Sequence, residues 1–190
     1  SPGAIRMQAP IRGTCWVGLE VPNETQEMVT FAEVFGKSDW RDDEIALPLF
    51  MGKDTAGRPL VADLAKLPHL LVAGATGSGK SVCINTMILS MLMTRSPNDV
   101  KMILIDPKQV ELAPFGDIPH LLSPVVTDMR HAGAALDWAV QKMEERYGFL
   151  AKARVRHLKE YNKLGKEGLV KRMGLKSVEE LERQKIPWKL

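Results

Sequence analysis

Eight consecutive residues, Gly74-Ala75-Thr76-Gly77-Ser78-Gly79-Lys80-Ser81, have the types and spacing to do chemistry. They fit G-x-x-x-x-G-K-[ST], the spacing of a loop that cradles nucleotide phosphates. Gly74, Gly77 and Gly79 lack a Cβ, so the backbone there can take positive φ and come close to a ligand. Successive N–H groups can then turn inward and form a nest for an anion. A helix starting near Lys80 adds free N–H groups and the positive end of its dipole. The reading predicts that the segment from Gly74 to Val82 binds ATP. Lys80 reaches the β- and γ-phosphates, and the Ser81 hydroxyl holds Mg²⁺. Lys80 and Ser81 are therefore the candidate catalytic residues. The competing reading is a flexible Gly/Ser connection between two buried elements.

Such a loop has to be held between a strand and a helix. The run His69-Leu70-Leu71-Val72-Ala73 predicts a buried strand, and the stretch from Lys80 to Met93 predicts a helix. That helix is apolar almost all round, with Val82, Ile84, Met87, Ile88, Leu89, Met91 and Leu92, the pattern of a helix enclosed in a core. Ser96-Pro97-Asn98-Asp99 breaks it. Val100-Lys101-Met102-Ile103-Leu104-Ile105 then predicts a second strand, parallel to the first through a right-handed crossover. The fold class expected is α/β, a parallel sheet flanked by helices. Residues 1–60 read as a small β-rich lead-in, in which Asp54-Thr55-Ala56-Gly57-Arg58-Pro59 is a hairpin turn. Met28-Val29-Thr30-Phe31 fits either a strand or the approach to a short helix through Phe35. Thr127 or Asp128 caps a long helix to about Ala153, with an apolar stripe of Ala132, Leu136, Ala139, Val140, Met143, Tyr147 and Leu150. Residues 61–190 form the second region, which includes a basic helical insertion at about 152–186. Ser177 with Glu180 is a capping box for its last helix.

Composition narrows the function class. The chain has 190 residues, 45% hydrophobic and 26% charged, with a formal net charge of +3, values of an ordinary globular domain. The mildly basic balance permits a nucleic-acid partner without demanding one. Two cysteines, Cys15 and Cys83, make neither a disulfide framework nor a CxxC metal pair, and they favour a reducing compartment. No apolar run approaches the roughly 20 residues of a membrane span. The opening Ser1-Pro2-Gly3 reads as a cut end rather than a signal peptide.

Several segments in one order resemble the FtsK/SpoIIIE family of DNA translocases. They are Gly52-Lys53-Asp54 with Gly57, the block from Val61 to Ser81, Ile105-Asp106-Pro107-Lys108 with Glu111-Leu112, Ile118-Pro119-His120-Leu121-Leu122, Val125-Val126-Thr127-Asp128-Met129, and Met143-Glu144-Glu145-Arg146-Tyr147. The resemblance covers roughly residues 17–162. It implies a RecA-like P-loop ATPase core, with residues 1–60 as the end of the motor's α subdomain. It also implies a homo-oligomeric ring, a hexamer, that pumps double-stranded DNA in chromosome segregation and cell division. The parent would be anchored in the bacterial inner membrane through segments outside these residues, with its motor in the cytoplasm. Related pumps for conjugation or protein secretion, and a non-catalytic nucleotide-binding fragment, are the alternatives.

The family's Mg²⁺-ordering motif is an apolar strand ending in Asp-Glu, and no such pair follows Ser81 here. The core is therefore expected to be incomplete, and this chain alone to lack hydrolysis. Asp106, at the end of the Val100 run, is the other metal candidate, against a purely structural role at the turn of Pro107. Lys108 reads as a surface residue, His120 as a structural loop histidine, and Trp138 as core or interface. The stretch from Lys152 to Lys176 holds nine Lys or Arg against two acids, which reads as a solvated helical surface more readily than as a phosphate track.

Overall fold

The computed structural model describes residues 5–23, 25, 27–40, 44–67 and 69–190. Ser1-Pro2-Gly3 and Pro68 of the readings above lie outside these. The chain divides into two units, Ser1–Met102 with Glu111–Leu122, and Ile103–Val110 with Ser123–Leu190.

In the first unit, β1 (Arg6–Gln8) and β2 (Gly18–Glu20) pair antiparallel in an exposed hairpin. Helix α1 (Phe31–Lys37) starts at Thr30, whose hydroxyl accepts from the Glu33 N–H. Of the two readings of residues 28–31, the helical one holds. Strands β3 (Pro48–Lys53) and β4 (Pro59–Asp63) form the expected second hairpin, with Leu49 opposite Ala62 and Phe50 opposite Val61. Its turn is tied by one carboxylate. Asp54 Oδ1 accepts from the N–H groups of Ala56 (2.9 Å) and Arg58 (2.8 Å), while Gly57 supplies φ +79°.

Helix α2 (Lys80–Thr94) packs on β3. Leu49, Met91 and Val100 form the buried centre, with Leu47, Ala62 and Met87 around it. Phe50 sits edge-on to Phe31, Phe35 and Trp40, with ring centroids 5.1–5.7 Å apart, the favoured aromatic arrangement. Two polar ties lock helix to hairpin. The fully buried Ser90 hydroxyl accepts from the Phe50 N–H (3.1 Å) and donates to the Thr86 carbonyl (2.7 Å). Arg95 donates to the carbonyls of Ala46 (2.8 Å) and Ile45, and its guanidinium lies over the Trp40 ring.

In the second unit, α3 (Met129–Ala153) is capped by Asp128, which accepts from the Arg130 N–H. Helix α4 (Leu158–Met173) is broken at Gly165, with φ +62° and ψ −177°, and α5 (Val178–Arg183) begins at Ser177. Ser177 accepts from Glu180 N–H, but the Glu180 carboxylate reaches back one residue further, to the Lys176 N–H (2.7 Å). Leu150, Ala153, Tyr161, Leu169, Leu181 and Ile186 form the core. All nine cations between Lys152 and Lys176 are exposed.

The parallel sheet is where the structure departs from expectation. Residues 69–73 and 100–105 are not strands among the described residues. The second run makes only single parallel bridges, Met102 to Leu121 and Ile105 to Val126. Leu71 is 89% exposed. A parallel strand needs neighbours running beside it to satisfy its backbone groups, and no described element lies alongside 69–73 in register. The established class is therefore mixed α/β with two two-stranded antiparallel sheets. For the same want of a covering layer, α2 buries only one face and leaves Val82 67% exposed. Leu136, Val140, Met143 and Tyr147 of the α3 stripe are exposed too, and Trp138 is 41% exposed rather than core.

Two consequences can be measured. Ser90→Ala leaves the Phe50 N–H buried without an acceptor, so urea unfolding should show a loss of about 1–3 kcal/mol. Asp63 supplies the second test. Burial opposes its charge, but N–H groups of Leu47, Ala46 and Ala65, with Lys66 nearby, outweigh this and hold its carboxyl below the ordinary range. A depressed folded pKa contributes stability above the unfolded value of about 3.9, and that stability is lost as pH falls through the folded value. Thermal melts should therefore place Asp63→Asn below the parent at pH 7, with the gap closing as pH falls through the depressed folded value.

Candidate functional site

The phosphate-loop residues stand together at the start of α2. Gly77 and Gly79 have φ of +78° and +87°, the left-handed region glycine enters without strain. Gly74 is needed for a different reason. A Cβ there would lie 2.3 Å from Ser78 Oγ and 3.2 Å from Ser78 Cβ, so the loop closes over its own first residue. The Ser78 N–H donates to the Ala75 carbonyl (3.1 Å) and folds Ala75, Thr76 and Gly77 into a tight turn.

Gly79 is the N-cap of α2, and it carries no side-chain acceptor. The first amide of the helix to find a partner within it is that of Cys83, which donates to the Gly79 carbonyl (2.9 Å). The N–H groups of Lys80, Ser81 and Val82 precede that bond and have no partner among the described residues, as the first turn of any helix leaves them. They make three convergent donors at the positive end of a 15-residue helix. This places Val82 in the site through its backbone, while its side chain faces outward.

Lys80 is half-buried, and its ammonium donates to the carbonyls of Gly74 (2.7 Å) and Ala75 (3.1 Å). The side chain folds back over the loop, so the cation lies at the mouth of the nest. Ser81 Oγ has no hydrogen-bond partner among the described residues and is available as an oxygen ligand. A first glycine that a Cβ would obstruct, two more at positive φ, first-turn amides without a partner among the described residues, a lysine and a hydroxyl together fit a nucleoside triphosphate with its magnesium ion. Among the described residues there is no cluster of three His, Cys, Asp or Glu able to hold a metal without such a ligand.

Asp106 belongs to the second unit. It is 6% exposed, and its carboxylate accepts from the N–H groups of Lys108 (3.2 Å), Gln109 (3.1 Å) and Val110 (3.0 Å). It thus caps the turn after Pro107, where Gln109 adopts φ +57°. Lys108 is exposed. His120 is 5% exposed and shares a hydrogen bond between its Nε2 and the Arg95 carbonyl (2.9 Å), a structural role in the first unit.

Sequence reasoning missed the surroundings of the loop. An apolar cleft of about 290 Å³ opens beside Gly79, Val82 and Cys83, with Val29, Phe31 and Phe50 as its other wall. Those residues come from the lead-in, about 30–50 positions earlier in the chain. The run Met28–Phe31 and the segment at Gly52 were visible as patterns, but nothing in a linear reading brings them to the helix start.

A sequence profile of the FtsK/SpoIIIE family matches residues 30–179. The DNA translocase FtsK of Haemophilus influenzae is 52% identical over 159 residues, which is 84% of this chain and 30% of that protein. The DNA translocase SftA of Bacillus subtilis is 50% identical over 163 residues, 86% of this chain and 17% of that protein. The DNA translocase FtsK of Mycobacterium tuberculosis (strain H37Rv) is 48% identical over 167 residues, 88% of this chain and 20% of that protein. The chain spans less than a third of the length of each.

Gly79 offers a clean probe of the loop. A Cβ there meets nothing within 4 Å, so Gly79→Ala introduces no clash and only backbone strain. The cost of a left-handed alanine is about 1–2 kcal/mol. Chemical unfolding should report a loss of that size, and Mg-ATP affinity measured by calorimetry should fall with it.

Proposed function

The chain belongs to the FtsK/SpoIIIE family, and from that premise we propose that it is the ATP-binding part of a ring-forming motor that moves double-stranded DNA in chromosome partition and cell division. The observation that carries the reading is the uncapped start of α2 beneath a glycine loop, with Lys80 at its mouth. The amides of Lys80, Ser81 and Val82 bind phosphate oxygens. Lys80 exchanges the carbonyls of Gly74 and Ala75 for the β- and γ-phosphates and offsets the charge that develops there. Ser81 would hold a magnesium ion, which would supply charge neutralisation at the phosphates. The nucleoside lies along the apolar cleft walled by Phe31 and Val82.

Within the longer parent, this region is the start of a RecA-like parallel sheet, and residues 1–60 close the neighbouring subdomain. Residues 69–73 and 100–105 become strands there once neighbours pair with them. The parent is anchored in the membrane by other segments. Among the described residues no helix is long and apolar enough to cross a bilayer. The names of the relatives, DNA translocase in each case, support DNA as the cargo over a secreted protein. Activation of the attacking water needs an Asp-Glu pair at the end of an apolar strand, a pair these residues do not hold after Ser81, so this chain binds nucleotide without turning it over.

A thermal melt with Mg-ATP tests the binding. At about 100 times the dissociation constant, a ligand of the folded state adds about 2.7 kcal/mol, or about 5–10 °C for a domain of this size. Lys80→Ala should abolish the shift. An unchanged melting temperature in the parent chain would end the nucleotide reading. Phosphate release should stay at background with or without duplex DNA, and DNA-stimulated release that disappears in Lys80→Ala would overturn the assignment of turnover to residues elsewhere.

A further inference from the structure

We infer that the second unit carries a seat for a backbone phosphate of duplex DNA, distinct from the nucleotide loop, in the cleft between the C-terminal half of α3 and residues 185–190. The cleft has a volume of about 310 Å³ and is lined by Lys142, Glu145, Arg146, Phe149, Lys185 and Lys189, among others. This rests on the reading of DNA as cargo. It goes beyond that reading because the family resemblance puts no DNA contact within these residues.

The charges are arranged for an anion. Glu145 is the one acidic side chain among the lining residues, beside the α-carboxylate of Leu190, and Lys142 pairs with Glu145 at 2.6 Å. Lys189 has an interaction of its own within the fold. Arg146 and Lys185 have no carboxylate partner among the described residues, so two uncompensated cations face one cleft from two separate segments. Arg146 brings a planar fork suited to phosphate oxygens. Lys185 sits at φ +53° just after α5, a left-handed position that glycine would occupy at lower cost. That left-handed turn closes the end of α5, with the Lys185 N–H donating to the Glu182 carbonyl (2.9 Å) and the Ile186 N–H to the Leu181 carbonyl (3.1 Å), and it sets residue 185 at the cleft edge.

The wall is also fixed in advance. Tyr161, fully buried, donates its hydroxyl to the Pro187 carbonyl (2.7 Å), Ile186 is buried in the core, and Leu190 exchanges two hydrogen bonds with the Asn162 amide. The surroundings favour a polyanion over a small free anion. Residues 142–190 hold fourteen Lys or Arg against seven Asp or Glu, a net +7 in a chain whose total is +3. The cations of α4 lie exposed in the same unit and add to the field that draws a polyanion toward it without lining the cleft.

The test is fluorescence anisotropy of a labelled 30-base-pair duplex with the full chain, across a salt series. Arg146→Gln combined with Lys185→Gly should lower the slope of log affinity against log salt by about two, one for each cation removed. The melting temperature should hold or rise, because glycine relaxes residue 185, and the Mg-ATP shift should persist. A charge-matched control, Lys163→Gln with Lys171→Gln on α4, should lower the slope by less than one. Equal losses in the two double variants would overturn the cleft and leave DNA as cargo, since attraction would then be diffuse. A parent chain that binds no duplex at low salt would also overturn the cleft, with the motor reading judged separately by the Mg-ATP melt.

Discussion

Helix α2 must begin without a cap and still stay in place. An N-cap side chain would satisfy one of the first amides, and relative to glycine it would contribute about a few tenths of a kcal/mol. At Gly79 that stabilisation is forgone, and the amides of Lys80, Ser81 and Val82 are left without a side-chain cap. The compensation comes from the other end. Ser90 and Arg95, in and just after the last two turns, bond to Phe50, Ala46 and Ile45 of the hairpin lead and strand. Met87, Met91 and Leu49 add buried apolar contact at the same level. The helix is thus held by its C-terminal half and presents its N-terminal half. The aromatic group around Phe50 does the same for the strand that receives it.

The second unit solves a related problem with basic helices. Their cations cannot enter a core without large desolvation cost, so the core is assembled from the residues between them. Tyr161, Leu169 and Leu181 are almost wholly buried while the neighbouring Lys159, Lys163 and Lys171 are exposed. The break at Gly165 lets α4 change direction while both halves still contribute to that core, Tyr161 from the first and Leu169 from the second. Burial raises the Tyr161 phenol above its ordinary pKa, so it remains a donor to Pro187 over the working range. A basic surface on a closed apolar centre is a stable way to display charge.

What was legible in the chain follows from how local each signal is. The glycine loop, the Asp54-to-Gly57 turn, the Asp128 cap and the Ser177 start each depend on a few adjacent residues, and each is found where its pattern stands. The runs at 69–73 and 100–105 look just as apolar, yet a run cannot say which neighbours will pair with it. Parallel pairing is supplied by segments distant in sequence, and the described residues contain too few of them. The apolar faces of α2 and α3 fail for the same reason, since periodicity shows that a face is apolar and not what covers it. Lys185 was invisible for another reason. A left-handed lysine carries no sequence signal, because only glycine and asparagine advertise that conformation.

The choice of partners for Lys80 is itself informative. No carboxylate among the described residues pairs with it, and its ammonium rests on the carbonyls of Gly74 and Ala75. A carboxylate would neutralise the cation and compete with any phosphate for it. Two neutral carbonyls do neither, since each contributes only about 1.5–3 kcal/mol to a charged donor. They hold a flexible four-carbon side chain near the place where it is needed, which removes part of the ordering cost of binding. In the proposed complex, a phosphate group that displaces them would give the ammonium full charges in place of partial ones over the same short distance. The loop therefore stores its cation in a form that favours handing it over, and the glycines that bring those carbonyls within reach are the same ones that open the amide nest.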